Sequence, residues 1–161
     1  MMRFSSAKAS VHLKVLGYQF ATLTCDEDTQ WLVVQVEVND KQAGLCWGAI
    51  DPCLMVSELE AIRDWLRSIH RGEQRAPTRL SFLEPCLALI YQDRSIGIAL
   101  VRELHPNAAG KNHRIINDQE YTLFFEPDQE QLSALIRDVE ELMAAYPQRS
   151  VQNRPPATSD M

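Results

Sequence analysis

The stretch that most constrains the fold is WLVVQVEVND, at residues 31–40. Apolar side chains occupy every second position, at Leu32, Val34, Val36 and Val38. Since successive side chains of a strand point to opposite faces, this alternation predicts a strand with one buried and one exposed face. The polar turn NDKQAG follows, and apolar residues then alternate again at Leu45, Trp47 and Ala49. Residues 31–50 therefore predict an antiparallel hairpin.

Five further stretches show short apolar patterns typical of strands. They are residues 11–20, 80–82, 87–91, 96–100 and 121–125. Gly17 predicts a kink or break in the first of them, because a glycine inside a strand weakens its packing. The short QDRS segment between residues 87–91 and 96–100 predicts a second hairpin.

Two stretches have the 3.6-residue period of amphipathic helices. Ser57 and Glu60 have the spacing of a capping box, so we predict a first helix from Ser57 to His70 with Gly72 just beyond its end. Asp128 and Gln131 have the same spacing at the start of a second helix, which Pro147 ends.

This order of elements predicts an α+β protein with a mainly antiparallel sheet of about seven strands and two amphipathic helices. Hydrophobic residues make up 45% of the chain, enough for one core, so residues 1–147 are predicted to form a single domain. Residues 148–161 lack apolar content and are predicted to be a disordered tail. Two helices can cover only one face of such a sheet, so the sheet either curls over itself or leaves its second face partly exposed.

Charge and hydropathy narrow the range of partners. The formal net charge is -6 and the basic residues form no stripe, which argues against direct binding to nucleic acid. No apolar run approaches the roughly 20 residues of a membrane span, and the first ten residues are not followed by a signal-peptide apolar segment. We therefore expect a cytoplasmic protein that does not contact membranes.

The sequences DPCL at residues 51–54 and EPCL at residues 84–87 raise the question of a metal or redox site. Asp51 with Cys53, or Glu84 with Cys86, would point to the same side of an extended chain. Zinc sites usually bring thiols together at C-x2-4-C spacing, however, and the four cysteines do not have it. We predict instead that each proline ends a strand and that the thiols are buried and free. A reactive Cys53 near the first helix is the alternative.

The sequence shows no pattern that specifies catalysis. The four histidines are scattered, and the patterns of nucleophile elbows, phosphate-binding loops and zinc proteases do not occur. We predict no catalytic residues, no cofactor-binding residues and no metal ligands, and we do not expect an enzyme.

The order of several short motifs resembles the WapI-type immunity proteins, a family of small bacterial proteins. The resemblance covers residues 28–147 and comprises WLVVQVEV, a tryptophan strand ending in DPCL, a helix closing with RDWL, and LSFLEP. The residues that carry it are Trp31, Trp47, Asp51, Pro52, Leu54, Glu58, Leu59, Trp65, Leu66, Phe82, Glu84 and Pro85. Cys86 departs from the family pattern, in which a polar residue is commoner after the proline.

The resemblance implies a cytoplasmic antidote that binds and blocks a bacterial toxin, and a basic, nuclease-type toxin domain would be one such partner. We hypothesise that the acidic residues Asp26, Glu27 and Asp28, just before the Trp31 strand, face a basic surface of that partner. The alternative reading is a cytoplasmic protein-binding or ligand-binding module without a toxin partner.

Overall fold

The computed structural model of the protein describes residues 1–21, 30–108 and 119–149. In this part of the chain, eight strands and two α-helices confirm the predicted α+β class, with one strand more than expected. The strands are β1 (Met2–Ser5), β2 (Ala9–Tyr18), β3 (Trp31–Asp40), β4 (Leu45–Met55), β5 (Thr78–Ser81), β6 (Leu87–Gln92), β7 (Ser95–Leu100) and β8 (Tyr121–Phe125). The helices are α1 (Val56–His70) and α2 (Gln129–Ala145), and a short 3-10 helix spans Arg102–Leu104.

The strands form two four-stranded antiparallel sheets. Sheet 1 has the order β1-β2-β3-β4, and sheet 2 has the order β5-β6-β7-β8. The additional strand is β1, in which Met2 pairs with Leu13 and Phe4 with Val11. It was not among the predicted strands, although Met2 and Phe4 alternate with polar residues. A register shift between Val15 and Gly17 confirms the predicted irregularity of β2.

One core joins both sheets and both helices. The ring centroids of Phe4 in β1 and Phe125 in β8 lie 6.0 Å apart, and those of Trp47 in β4 and Tyr121 in β8 lie 5.2 Å apart. The apolar face of sheet 1 therefore meets sheet 2. On the other face of sheet 1, residues such as Glu37 remain exposed.

Helix α1 begins one residue earlier than predicted, and its predicted capping box is wrong. The helix starts at Val56, and Glu58 supplies the cap. Its Oε2 accepts the Met55 backbone N–H at 2.7 Å, while its Oε1 accepts the Leu83 backbone N–H at 2.6 Å. Glu60 instead makes a 3.1 Å surface ion pair with Arg63. Glu58 thereby connects the helix start to the turn that follows β5.

The predicted cap of α2 is confirmed. Asp128 Oδ1 accepts the Gln131 backbone N–H at 2.8 Å, and Gln131 Oε1 accepts the Asp128 backbone N–H at 2.9 Å. The two helices also contact each other through polar groups, because Arg67 forms a 2.5 Å ion pair with Glu140.

The prediction that each proline ends a strand is wrong for Pro52, and β5 already ends at Ser81, before Pro85 is reached. Pro85 lies in the turn before β6, whereas β4 continues past Pro52 to Met55. β4 lies at the edge of sheet 1, where a residue without an N–H can be accommodated. The register also shifts here, since Val34 pairs with Asp51 and Leu32 with Leu54. Such a bulge lets the strand continue through the proline.

Candidate functional site

The structure brings the DPCL and EPCL sequences together. Cys53 lies in β4 and Cys86 in the turn before β6, and neither side chain is exposed to solvent. Together with Asp51 they form a cluster in which one potential ligand atom from each residue lies within 4.8 Å of the others. The Cys86 Sγ lies 3.7 Å from Asp51 Oδ2. We call these three residues the cysteine cluster.

Local backbone features position the cluster. Asp51 and Cys53 are two residues apart in β4, at the bulge opposite Leu32 and Val34. The Cys86 carbonyl accepts the Val101 backbone N–H at 3.0 Å, which connects this turn to the end of β7. The cluster therefore spans the two sheets.

Two further carboxylates act electrostatically on the cluster. Burial and the nearby charges of Glu103 and Glu84 raise the pKa of the Asp51 carboxyl above its ordinary value. The hydrogen bond with Cys53, burial, and the charge of Asp51 together raise the pKa of the Cys86 thiol. Glu84 does not join the cluster, since it accepts a 3.0 Å hydrogen bond from Arg102 Nη1.

The burial of Cys53 confirms the structural reading of that thiol against the exposed, reactive alternative. The expectation of buried thiols is wrong for Cys46, which is exposed on β4, while Cys25 lies outside the described residues. The sequence analysis considered Asp51 with Cys53 and, separately, Glu84 with Cys86, whereas the structure groups Cys86 with Asp51 and Cys53. Only the packing of the two sheets brings Cys86 to them.

The predicted partner-binding residues Asp26, Glu27 and Asp28 lie outside the described residues. The chain on either side of them is described. Leu16 in β2 and Phe20 just after it are 43% and 39% exposed. The Arg149 guanidinium lies 3.7 Å above the Tyr18 ring, and its Nη2 donates to the Phe20 carbonyl at 2.8 Å.

The outer face of sheet 1 is polar apart from a few apolar positions. Lys14, Gln35 and Ile50 lie side by side across β2, β3 and β4. Ile50 is 61% exposed, and no strand or helix of the described chain covers it. Isolated exposed apolar residues are ordinary on proteins, but several on one sheet are typical of a surface that binds a partner.

A cleft of 220 Å³ lies where β1, β8 and α2 meet. Arg3 and Asp138 are its ionisable lining residues, and the rest of the lining includes Phe4, Phe125 and Leu135. A catalytic pocket usually gathers several ionisable groups with perturbed pKa values. This cleft contains one such group, Asp138, whose pKa is raised by burial.

None of the helices in the described part of the chain is long and apolar enough to span a membrane.

The protein is an α+β domain in which two sheets enclose one core, and one face of sheet 1 stays largely exposed. The sequence model of the WapI-like immunity protein family matches residues 2–147, and the chain belongs to that family. Searches of curated proteins and of solved structures found no match.

Residues that carried the sequence resemblance have structural roles in this fold. Trp47 Nε1 donates to the Leu104 carbonyl at 3.1 Å, and Trp65 Nε1 donates to Thr78 Oγ1 at 3.1 Å. Phe82 is buried, and Glu58 caps α1. These contacts account for a shared fold and leave the choice of partner to other surface residues.

Proposed function

We propose that this protein is a cytoplasmic antidote that binds a cognate bacterial toxin and blocks it by forming a complex. Membership of the immunity protein family, which extends over residues 2–147, carries this proposal. Blocking by occlusion requires a complementary surface and no chemistry. The free thiols Cys46, Cys53 and Cys86 suit a reducing cytoplasm.

We infer that the toxin domain is basic and that a nuclease is the kind of toxin involved. The net charge of -6 favours attraction to a basic surface and speeds association with it. Asp26, Glu27 and Asp28 concentrate acidic charge in the connection between β2 and β3. A nuclease carries basic groups for its phosphate-bearing substrate, so an acidic protein segment can compete for the same groups.

The proposed docking surface combines this acidic segment with three exposed apolar residues, Leu16 and Ile50 of sheet 1 and Phe20 just after β2. Phe20 lies six residues before Asp26 in the chain, and Leu16 lies ten residues before it. Interfaces gain most of their affinity from a few apolar or aromatic anchors, with charged groups around them. Phe20 supplies such an anchor, and the acidic residues supply the surrounding charge.

The decisive experiment requires a toxin domain to be identified first, and genes adjacent to the one for this protein are the place to look for it. Co-expression of the full protein is expected to restore growth of cells that produce the toxin domain, and the two purified chains are expected to form a stable complex. Growth arrest that persists despite equal expression of both chains would contradict the proposal.

Charge reversal tests the acidic segment within that complex. Changing Asp26, Glu27 and Asp28 together to lysine is expected to weaken toxin binding at least tenfold, or about 1.4 kcal/mol, because like charges would then face each other. Binding is measured by calorimetry at low and at physiological salt, and the difference should shrink as salt screens the charges.

The matched control changes three exposed acids outside the proposed surface, Glu73, Glu126 and Glu141, to lysine, so that the net charge shifts equally. This control is expected to change affinity much less than the reversal at residues 26–28. Equal losses in both variants would show that only the overall charge matters. Unchanged binding in the first variant would place the interface elsewhere and leave the immunity function itself standing.

A further inference from the structure

We propose that Asp51, Cys53 and Cys86 form a binding site for Zn²⁺. The proposal is independent of toxin binding, and it departs from the sequence-based prediction that the chain has no metal ligands. That prediction considered thiols close together in the chain. The structure instead recruits its ligands from β4 and from the turn before β6.

The spacing of the cluster suits a tetrahedral zinc ion. Zinc binds thiolate sulfur at about 2.3 Å and carboxylate oxygen at about 2.1 Å, so at a tetrahedral angle these two ligand atoms lie roughly 3.6 Å apart. The distance from Cys86 Sγ to Asp51 Oδ2 is 3.7 Å. The potential ligand atoms of all three residues lie within 4.8 Å of one another, so they need to approach by about 1 Å or less to share one tetrahedral ion.

The charge balance of the site also suits a divalent cation. Two thiol protons leave as one Zn²⁺ enters, so the net charge of the three ligands and their bound ions stays the same. Thiolate ligands favour zinc over magnesium or calcium, which prefer oxygen.

The position of Asp51 gives the ion a route into the cluster. Both thiols are fully buried, whereas Asp51 is only partly buried and therefore marks the side from which an ion and a water molecule can reach them. Three protein ligands leave the fourth tetrahedral position to that water. Bound zinc would then join β4 of sheet 1 to the turn before β6 of sheet 2 and stabilise the contact between the sheets.

The test uses the full, untagged and reduced chain with Cys25 and Cys46 changed to serine, so that Cys53 and Cys86 are its remaining thiols. We expect one equivalent of Co²⁺ to produce the near-ultraviolet charge-transfer absorption of thiolate ligands, and Zn²⁺ to displace it. Zinc should also raise the melting temperature, because it binds only the folded site.

Two variants probe the ligands. Asp51→Asn is expected to weaken zinc binding by about 100-fold, the upper end of the loss seen when a residue that only orients a ligand is removed. Cys86→Ala is expected to abolish the charge-transfer band, with folding checked by circular dichroism. If that variant does not fold, Asp51→Asn carries the test alone. Asp93→Asn, at an exposed acid in the turn between β6 and β7, is the matched control and should bind zinc as the parent does.

Several results would overturn the proposal. One is the absence of a charge-transfer band with stoichiometric Co²⁺, and another is equal zinc affinity in the Asp51→Asn and Asp93→Asn variants. A third is a Cys53–Cys86 disulfide formed with hydrogen peroxide in a protein that binds no zinc, which would make the pair a redox site instead.

Discussion

Replacing Glu58 with alanine is expected to lower the free energy of unfolding by about 2–3 kcal/mol. The carboxylate accepts the Met55 N–H at the start of α1 and the Leu83 N–H in the turn after β5, at 2.7 and 2.6 Å. Alanine removes the cap of the helix and both charge-assisted hydrogen bonds. The expected loss is smaller than the sum of two such bonds because Leu83 is exposed, and water can replace its bond.

Glu60→Ala is the matched control, because it removes the same side chain two residues further along the helix. Its carboxylate only pairs with Arg63 on the surface, so the expected loss is about 0.5 kcal/mol or less. Denaturant unfolding at neutral pH measures both variants. If Glu60→Ala were as destabilising as Glu58→Ala, the capping box predicted from the sequence would be correct and the cap observed at Glu58 would not.

Replacing Tyr121 with phenylalanine is expected to lower the free energy of unfolding by about 1.5–3 kcal/mol, the usual contribution of a hydrogen bond to a charged group. The Tyr121 hydroxyl in β8 donates to Asp40 Oδ2 at the end of β3 at 2.6 Å and so joins the two sheets. Asp40 is only 7% exposed, so water does not readily replace the lost donor. Its Oδ1 also accepts the backbone N–H groups of Gln42 and Ala43, and these bonds remain in the variant.

The same pair predicts a pH dependence of stability. The hydrogen bond from Tyr121, and then that from Ala43, lower the pKa of Asp40 below its ordinary value. A carboxyl whose pKa is lower in the folded state contributes stability above its unfolded pKa of about 3.9 and loses it as the pH falls through the folded value. The difference between wild type and Tyr121→Phe should therefore be full at pH 5–8 and shrink below about pH 4.

At alkaline pH the same hydrogen bond loses its contribution to stability as the pH rises. Burial and the hydrogen bond to Asp40 raise the pKa of Tyr121 to about 12. Stability from a raised pKa is fully present below the unfolded value of about 10 and is lost as the pH rises through the folded value. Tyr91→Phe, at a partly buried tyrosine of β6, is the control for loss of a hydroxyl. If the difference in unfolding free energy between wild type and Tyr121→Phe stayed constant from pH 3 to pH 8, the predicted role of Asp40 at acid pH would be wrong.

Much of the fold could be predicted because its signals are local. The alternation of residues 31–40 shows β3 and its buried face, and the spacing of Asp128 and Gln131 shows where α2 begins. Both depend on contacts within a few residues, which periodicity and capping describe directly. The match of the family to residues 2–147 likewise agrees with motifs that can be read along the chain.

Errors arose where a distant contact decides the local structure. Ser57 and Glu60 have the spacing of a capping box, but Glu58 is the residue that can reach both the helix start and Leu83. Pro52 has the usual signature of a strand end, but its edge position in sheet 1 lets β4 continue. In each case local preference is weak enough for tertiary packing to override it.

The sequence by itself determined the elements, the α+β class and the acidic character of this protein, because these follow from the order and period of neighbouring residues. The tertiary structure decided that the strands divide into two sheets and that Cys86 meets Asp51 and Cys53. Those outcomes depend on which apolar faces pack together across the whole chain. Contacts between side chains far apart in the chain cannot be read from the order and period of neighbouring residues.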